Sequence, residues 1–156
     1  AGSGADATRG HLYGGATGPS ELASIDYFTI ASTGNATDFG DIGSGAQNNA
    51  QGGSSTTRGV HGGGYNGSDQ KENTISYITI QSTGDSTDFG DLTVARADQA
   101  GASNGVRVGW FGGDGDQTTC DFVTIATTGN ATDFGDTNIA GRNFRATAEF
   151  HGGINA

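Results

Sequence analysis

The chain writes one octet three times: Gly34-Asn35-Ala36-Thr37-Asp38-Phe39-Gly40-Asp41, Gly84-Asp85-Ser86-Thr87-Asp88-Phe89-Gly90-Asp91 and Gly129-Asn130-Ala131-Thr132-Asp133-Phe134-Gly135-Asp136. The copies recur after 50 and then 45 residues. A repeat of this length is one supersecondary unit, which buries its apolar face against a copy of itself. The chain is thereby constrained to stacked or radially arranged units. Any chemistry assigned to one copy must also account for the other two.

The units are written in thin β-elements. Glycine supplies 30 of 156 residues and the apolar share is 32%, too little for a thick core. Short β-branched and aromatic runs nevertheless recur between glycine-rich turns, the pattern of strands. Each unit opens with an apolar element ending in two glycines: His11-Leu12-Tyr13-Gly14-Gly15, Gly59-Val60-His61-Gly62-Gly63 and Gly109-Trp110-Phe111-Gly112-Gly113. After a polar loop comes the strongest strand pattern, over 25–30, 75–80 and 120–125. Both of its faces are partly apolar, so it is expected to pack between neighbouring layers. The octet follows as a tight turn and a returning strand anchored by Phe39, Phe89 or Phe134. A short small-residue strand then leads into the next unit. The sum is four antiparallel strands per unit, with units of about 1–45, 46–95 and 96–142 and a partial fourth at 143–156, all in a single domain spanning 1–156.

Charge narrows the partners. Seventeen acidic against seven basic residues give a net charge of -10, which repels nucleic acid and anionic lipid. Neither nucleic acid nor membrane insertion is expected, and no run is apolar enough to span a bilayer as a helix. Cys120 is the only cysteine, which rules out a disulfide within the chain. It stands where the other units have Ile25 and Ile75, and reads as a small buried hydrophobe.

The motifs that suggest chemistry weaken when set in the repeat. Asp-Phe-Gly occurs three times without the other parts of a kinase. Asp38, Asp88 and Asp133 read as acceptors for backbone N–H groups in a turn, and Asp41, Asp91 and Asp136 as the same or as solvated carboxylates. Their spacing is not that of an EF-hand, and no metal is expected. His11, His61 and His151 fall in separate units and read as structural. Arg96 and Arg142 read as salt-bridge or backbone partners between units rather than substrate ligands. No catalytic residue and no cofactor site emerges. Trp110 has two readings, a core residue or an exposed sugar-stacking platform. On the second reading Trp110, Tyr65, Asp114 and Asp116 form a glycan contact, supplied by the variable loops 16–24, 64–74 and 114–119.

The order of these pieces resembles the kelch-type β-propeller blade. In that family a double glycine ends an inner strand, an aromatic-bearing strand follows, and an arginine precedes the next blade. Gly62, Gly63, Tyr77 and Arg96 match this order, as do Gly112, Gly113, Phe122 and Arg142, with Gly14 and Gly15 in the first unit. The family's outer-strand tryptophan is replaced by Phe39, Phe89 and Phe134. The strings Tyr-Ile-Thr-Ile and Gly-Asn-Ala-Thr-Asp-Phe-Gly-Asp, with Asp-Leu-Thr-Val-Ala-Arg, are similar to repeats of virion structural and tail-fibre proteins of marine cyanobacterial phages, over about residues 9–153. That resemblance implies a non-enzymatic component of an extracellular virion, a fibre, decoration or connector subunit. Its partners would be copies of itself and other virion proteins, with a host-surface glycan as the alternative. Three units fall short of the roughly four to eight blades that close a propeller. A ring of two chains, an elongated stack, or a place as one section of a longer particle protein is therefore the expected arrangement.

Overall fold

The computed structural model describes residues 2–45, 47–48, 50–144 and 146. The fold is all-β. Its strands are β1 (Gly2–Ala5), β2 (Arg9–Thr17), β3 (Ser20–Thr29), β4 (Thr37–Asp41), β5 (Gln47–Asn48), β6 (Gln51–Ser54), β7 (Arg58–Gly62), β8 (Tyr65–Asn66), β9 (Thr74–Thr79), β10 (Thr87–Asp91), β11 (Ala100–Ser103), β12 (Arg107–Gly113), β13 (Gln117–Thr124) and β14 (Thr132–Asp136). They form three four-stranded antiparallel sheets, in the orders β1-β2-β3-β4, β6-β7-β9-β10 and β11-β12-β13-β14. A two-stranded ribbon of β5 and β8 lies between the first and second. Each sheet is a meander, one per octet, and the described sheets do not close into a ring.

Register fixes which positions are equivalent. His11 faces Tyr27, Val60 faces Tyr77 and Gly109 faces Phe122 across the central pair of each sheet. Arg9, Arg58 and Arg107 therefore correspond, and two expectations shift by one residue. The glycine pair ending the second strand is Gly14-Gly15, Gly63-Gly64 and Gly112-Gly113, and all six have positive φ. Gly62 is instead an ordinary strand residue, equivalent to Tyr13 and Phe111. A side chain there would press on the Trp110 indole. Likewise the carbonyl of Gly141, not that of Arg142, accepts the Gly113 N–H, as the carbonyl of Arg96 accepts that of Gly64. Arg142 is thus not the structural counterpart of Arg96. The Phe150-His151-Gly152-Gly153 segment of the expected fourth unit, and with it His151, lies outside the described residues.

The sheets stack face against face. At the inner edge β6 touches both β1 and β11. The Ser54 hydroxyl accepts from Ala5 N–H and donates to Ala5 C=O, while Ser54 N–H donates to Ser103 Oγ. Between the sheets lie two apolar layers. Tyr13, Ile25, Phe39 and Ile42 of the first sheet and its following turn meet Ile78 of the second. Val60, Ile75, Phe89 and Leu92 of the second meet Val108, Trp110, Val123 and Ile125 of the third. The central sheet is thus apolar on both faces, as its strand pattern requires.

At the outer edge the backbone itself joins the sheets, and glycine makes that approach possible. Gly90 has φ 146°, and a β-carbon there would strike the carbonyl of Gly129 in the next unit. Gly135 has φ 129° with open space around it among the described residues. Gly135→Ala is expected to cost only the backbone strain, about 1–3 kcal/mol. Gly90→Ala carries the same strain and also forces the second and third sheets apart. Urea unfolding should show the larger loss for Gly90→Ala, and equal losses would refute a close-packed joint.

Candidate assembly interface

The octet is the joint. In the first junction Gly84 N–H donates to Phe39 C=O (2.8 Å) and Ser86 N–H to Asp41 C=O (2.8 Å). In the second, Gly129 N–H donates to Phe89 C=O (2.7 Å) and Ala131 N–H to Asp91 C=O (2.7 Å). The residue between them completes the clasp: Asp85 Oδ1 accepts from Asp41 N–H (2.9 Å), and Asn130 Oδ1 accepts from Asp91 N–H (3.1 Å). So the turns of the second and third octets each saturate the free edge of the strand in the octet before. Phe39 and Phe89 are 3% and 2% exposed beneath these clasps.

A second clasp runs beside the first. The Arg9 guanidinium lies 4.6 Å from the centre of the Tyr27 ring, and Tyr27 meets Phe39 edge to face at 5.9 Å. From there Arg9 Nη1 donates to Ile80 C=O (3.0 Å) in the next sheet. The arrangement repeats in Arg58, Tyr77 and Phe89, and Arg58 Nη1 donates to Ile125 C=O (3.0 Å) and Ala126 C=O (3.1 Å). Each arginine is held over an aromatic face and aimed across the junction.

The two junctions differ in their centres. At the second, Arg96 and Asp121 form an ion pair of 2.7 Å with both side chains buried. Arg96 Nη1 also donates to Thr119 C=O (2.6 Å), and Asp121 accepts from the Thr93 N–H and hydroxyl. Burial pulls the Arg96 pKa down, partly countered by Asp121. The pair ties the 92–99 linker to the third sheet, so the expectation of a salt bridge between units holds for Arg96. Asp121→Ala leaves a buried guanidinium unpaired, which costs about 3–5 kcal/mol. A lowered urea midpoint should report it, and a midpoint within experimental error of the parent would show that the pair holds nothing.

At the first junction the centre is aromatic. His61 stacks on Tyr13 at 4.7 Å, and His11 meets Phe39 edge to face at 4.9 Å. Both imidazoles are buried, and neither ring nitrogen of His61 has a hydrogen-bond partner among the described residues. Burial lowers the His61 pKa to about 4 and also lowers that of His11. A lowered folded pKa means that the unfolded chain binds protons first, so stability falls as pH drops from about 6.5 toward 4. His61 alone contributes on the order of 3 kcal/mol to that loss. Carboxylates held low, such as Asp6 at about 2, act only at more acidic pH. The Tm of the chain is expected to fall between pH 6.5 and 4.5, and less steeply in His61→Phe. An unchanged slope in that variant would remove His61 as the cause.

Of the four residues expected to contact glycan, Tyr65, Asp114 and Asp116 lie together, and Trp110 lies apart from them. Trp110 is fully buried in the second junction, where its Nε1–H donates to Gln51 C=O (2.7 Å), so it is no stacking platform. The space that Gly62 leaves open draws the ring inward. Asp114 accepts from the Tyr65 hydroxyl (2.6 Å), Lys71 Nζ (3.2 Å) and Arg142 Nη1 (3.0 Å), which holds its pKa at about 2. The same contact pushes Tyr65 up to about 12. This knot fastens the 65–71 loop to the 114–116 turn. Asp116 is exposed, at positive φ in that turn.

Of the octet carboxylates, Asp133 accepts a backbone N–H as expected, whereas Asp38 and Asp88 do not. Asp133 Oδ1 accepts from Gly135 N–H (2.9 Å), and Asp136 Oδ1 from the Thr118 hydroxyl (2.7 Å). Among the described residues the carboxylates of Asp38, Asp41, Asp88 and Asp91 accept no hydrogen bond. The turn-holding carboxamide or carboxylate is Asn130 or Asp85, a position that sequence reasoning passed over. The Asn/Asp alternation after the first octet glycine was its one visible signal. No three acidic, histidine or cysteine side chains converge to hold a metal ion among the described residues.

Fold and junctions together define a protein of repeated antiparallel β-sheets joined by backbone clasps. No protein-family model matches the chain, and no curated protein matches it significantly in sequence.

Proposed function

We propose that this chain is a structural component of a phage virion, a fibre, decoration or connector subunit that acts through protein–protein assembly. In this reading the three sheets serve as kelch-like blades. The observation that carries it is where the polar chemistry goes. The buried ion pair, the arginine clasps and the octet hydrogen bonds all hold one sheet to the next. The loop cluster around Asp114 closes on itself, with Tyr65, Lys71 and Arg142 all on the one carboxylate. A chain that spends its directional interactions on joining like units is built to be a scaffold.

The particle context draws on the resemblance of the repeat strings to virion proteins, together with an acidic surface that disfavours nucleic-acid and anionic-lipid partners. The test is to band virions from the lysate in which the chain is made and to label them with an antibody against it. Labelling at a regular position on the particle is the expected result. A chain that remains entirely in the soluble fraction would overturn the assignment. Glycan capture by that soluble chain would favour the receptor-recognition reading.

A further inference from the structure

The stack ends in two unlike faces, and each presents half of the junction already described. At one end, Phe134 and Phe122 meet edge to face at 5.9 Å, and Arg107 lies 4.5 Å from the Phe122 ring centre. This is the geometry of Arg9, Tyr27 and Phe39, and of Arg58, Tyr77 and Phe89, within 0.1 Å. Yet Phe134 is 67% exposed, and among the described residues the Arg107 guanidinium has no carbonyl to receive it. Beside it runs an apolar groove of about 270 Å³ lined by Arg107, Gly109, Phe111, Phe122 and Phe134.

The opposite end carries the complementary half. Phe28 and Ile30 are 43% and 51% exposed, whereas Ile78 and Ile80, and Val123 and Ile125, are at most 4% exposed in the same places. The first octet turn, Gly34-Asn35-Ala36, is exposed and clasps nothing among the described residues, where Gly84-Asp85-Ser86 and Gly129-Asn130-Ala131 each clasp a strand edge. A prebuilt socket at one end and its matching plug at the other identify the occupant. Residues 137–156 hold no further copy of the octet.

We propose that copies of this chain join head to tail, the third sheet of one copy receiving the first sheet of the next in the geometry of the internal junctions. Gly34 and Ala36 N–H donate to the Phe134 and Asp136 carbonyls of the preceding copy. Asn35 accepts from Asp136 N–H, Arg107 reaches the Ile30 carbonyl, and Phe28 and Ile30 cover the groove. Such a heterologous contact makes a ring where its rotation closes and a filament where it does not. The inference rests on the assembly reading above and specifies its contact.

Internally, Gly43 N–H donates to Ser86 Oγ (3.0 Å), so these positions are direct neighbours across the joint. Their end-face equivalents are Asn138 and Ala36, both exposed. In a Cys120→Ala background, chains carrying both Ala36→Cys and Asn138→Cys should give a covalent ladder on mild oxidation. Mixing the two single variants should give only the mixed dimer. Phe134→Glu, a change at an exposed site that spares the fold, should abolish both products. Homodimers of either single variant would show a twofold contact and overturn the proposal. So would the absence of any cross-link together with a monomer by light scattering at every concentration. A chain that labels virions without cross-linking refutes only this joint, and one that cross-links but is missing from virions refutes only the particle assignment.

Discussion

Everything in this molecule depends on satisfying the outer edge of each sheet. An edge strand presents unpaired N–H and C=O groups, which are costly when covered without partners and adhesive when left open. Here the cover is the next unit's turn, seated on Phe39 to Asp41 and on Phe89 to Asp91. The fit works because Gly40 and Gly90 lack a side chain and adopt a φ that few other residues tolerate. Covering the edge also seals a phenylalanine, and burying such a ring contributes about 1.5–3 kcal/mol. One octet therefore does two jobs: it closes its own hairpin and locks the hairpin before it.

The strands were legible because their signals are local. β-Branched and aromatic runs bounded by glycine give β2, β3, β7, β9, β12 and β13, and small-residue stretches give β6 and β11. A core role for Trp110 was one of its two legible readings and holds, but the cause of its burial was not legible. That burial depends on the absence of a side chain at Gly62, a residue 48 positions earlier in another sheet. The role of Asn130 was hidden for the same reason: its partner, Asp91 N–H, belongs to the previous unit. Sequence periodicity reports what recurs within a unit, while contacts between units depend on which residues meet across the gap.

Those cross-gap pairings vary in a coordinated way. Tyr13 projects from the first sheet, and the second sheet answers with Gly59, where a β-carbon would collide with the phenol, and with the flat ring of His61. The second sheet has Gly62 in the place of Tyr13, and the third answers with Val108 and Trp110, where the second has Gly59 and His61. Charge follows the same rule. Asp121 comes after a linker that supplies Arg96, whereas Ser76, its equivalent, comes after a linker without arginine.

This coordination sets the order of the sheets. Docking the third sheet directly on the first would drive Val108 into the Tyr13 hydroxyl and bury Asp121 without its arginine. Docking the second on itself would leave the Gly62 space unfilled. Wrong orders thus fail by overlap, by an unpaired charge or by a cavity, each costing a few kcal/mol. The backbone clasp is the same at both junctions and carries no information about order. The side chains between the clasps carry it, so a repeat with a nearly invariant connector still specifies one sequence of units.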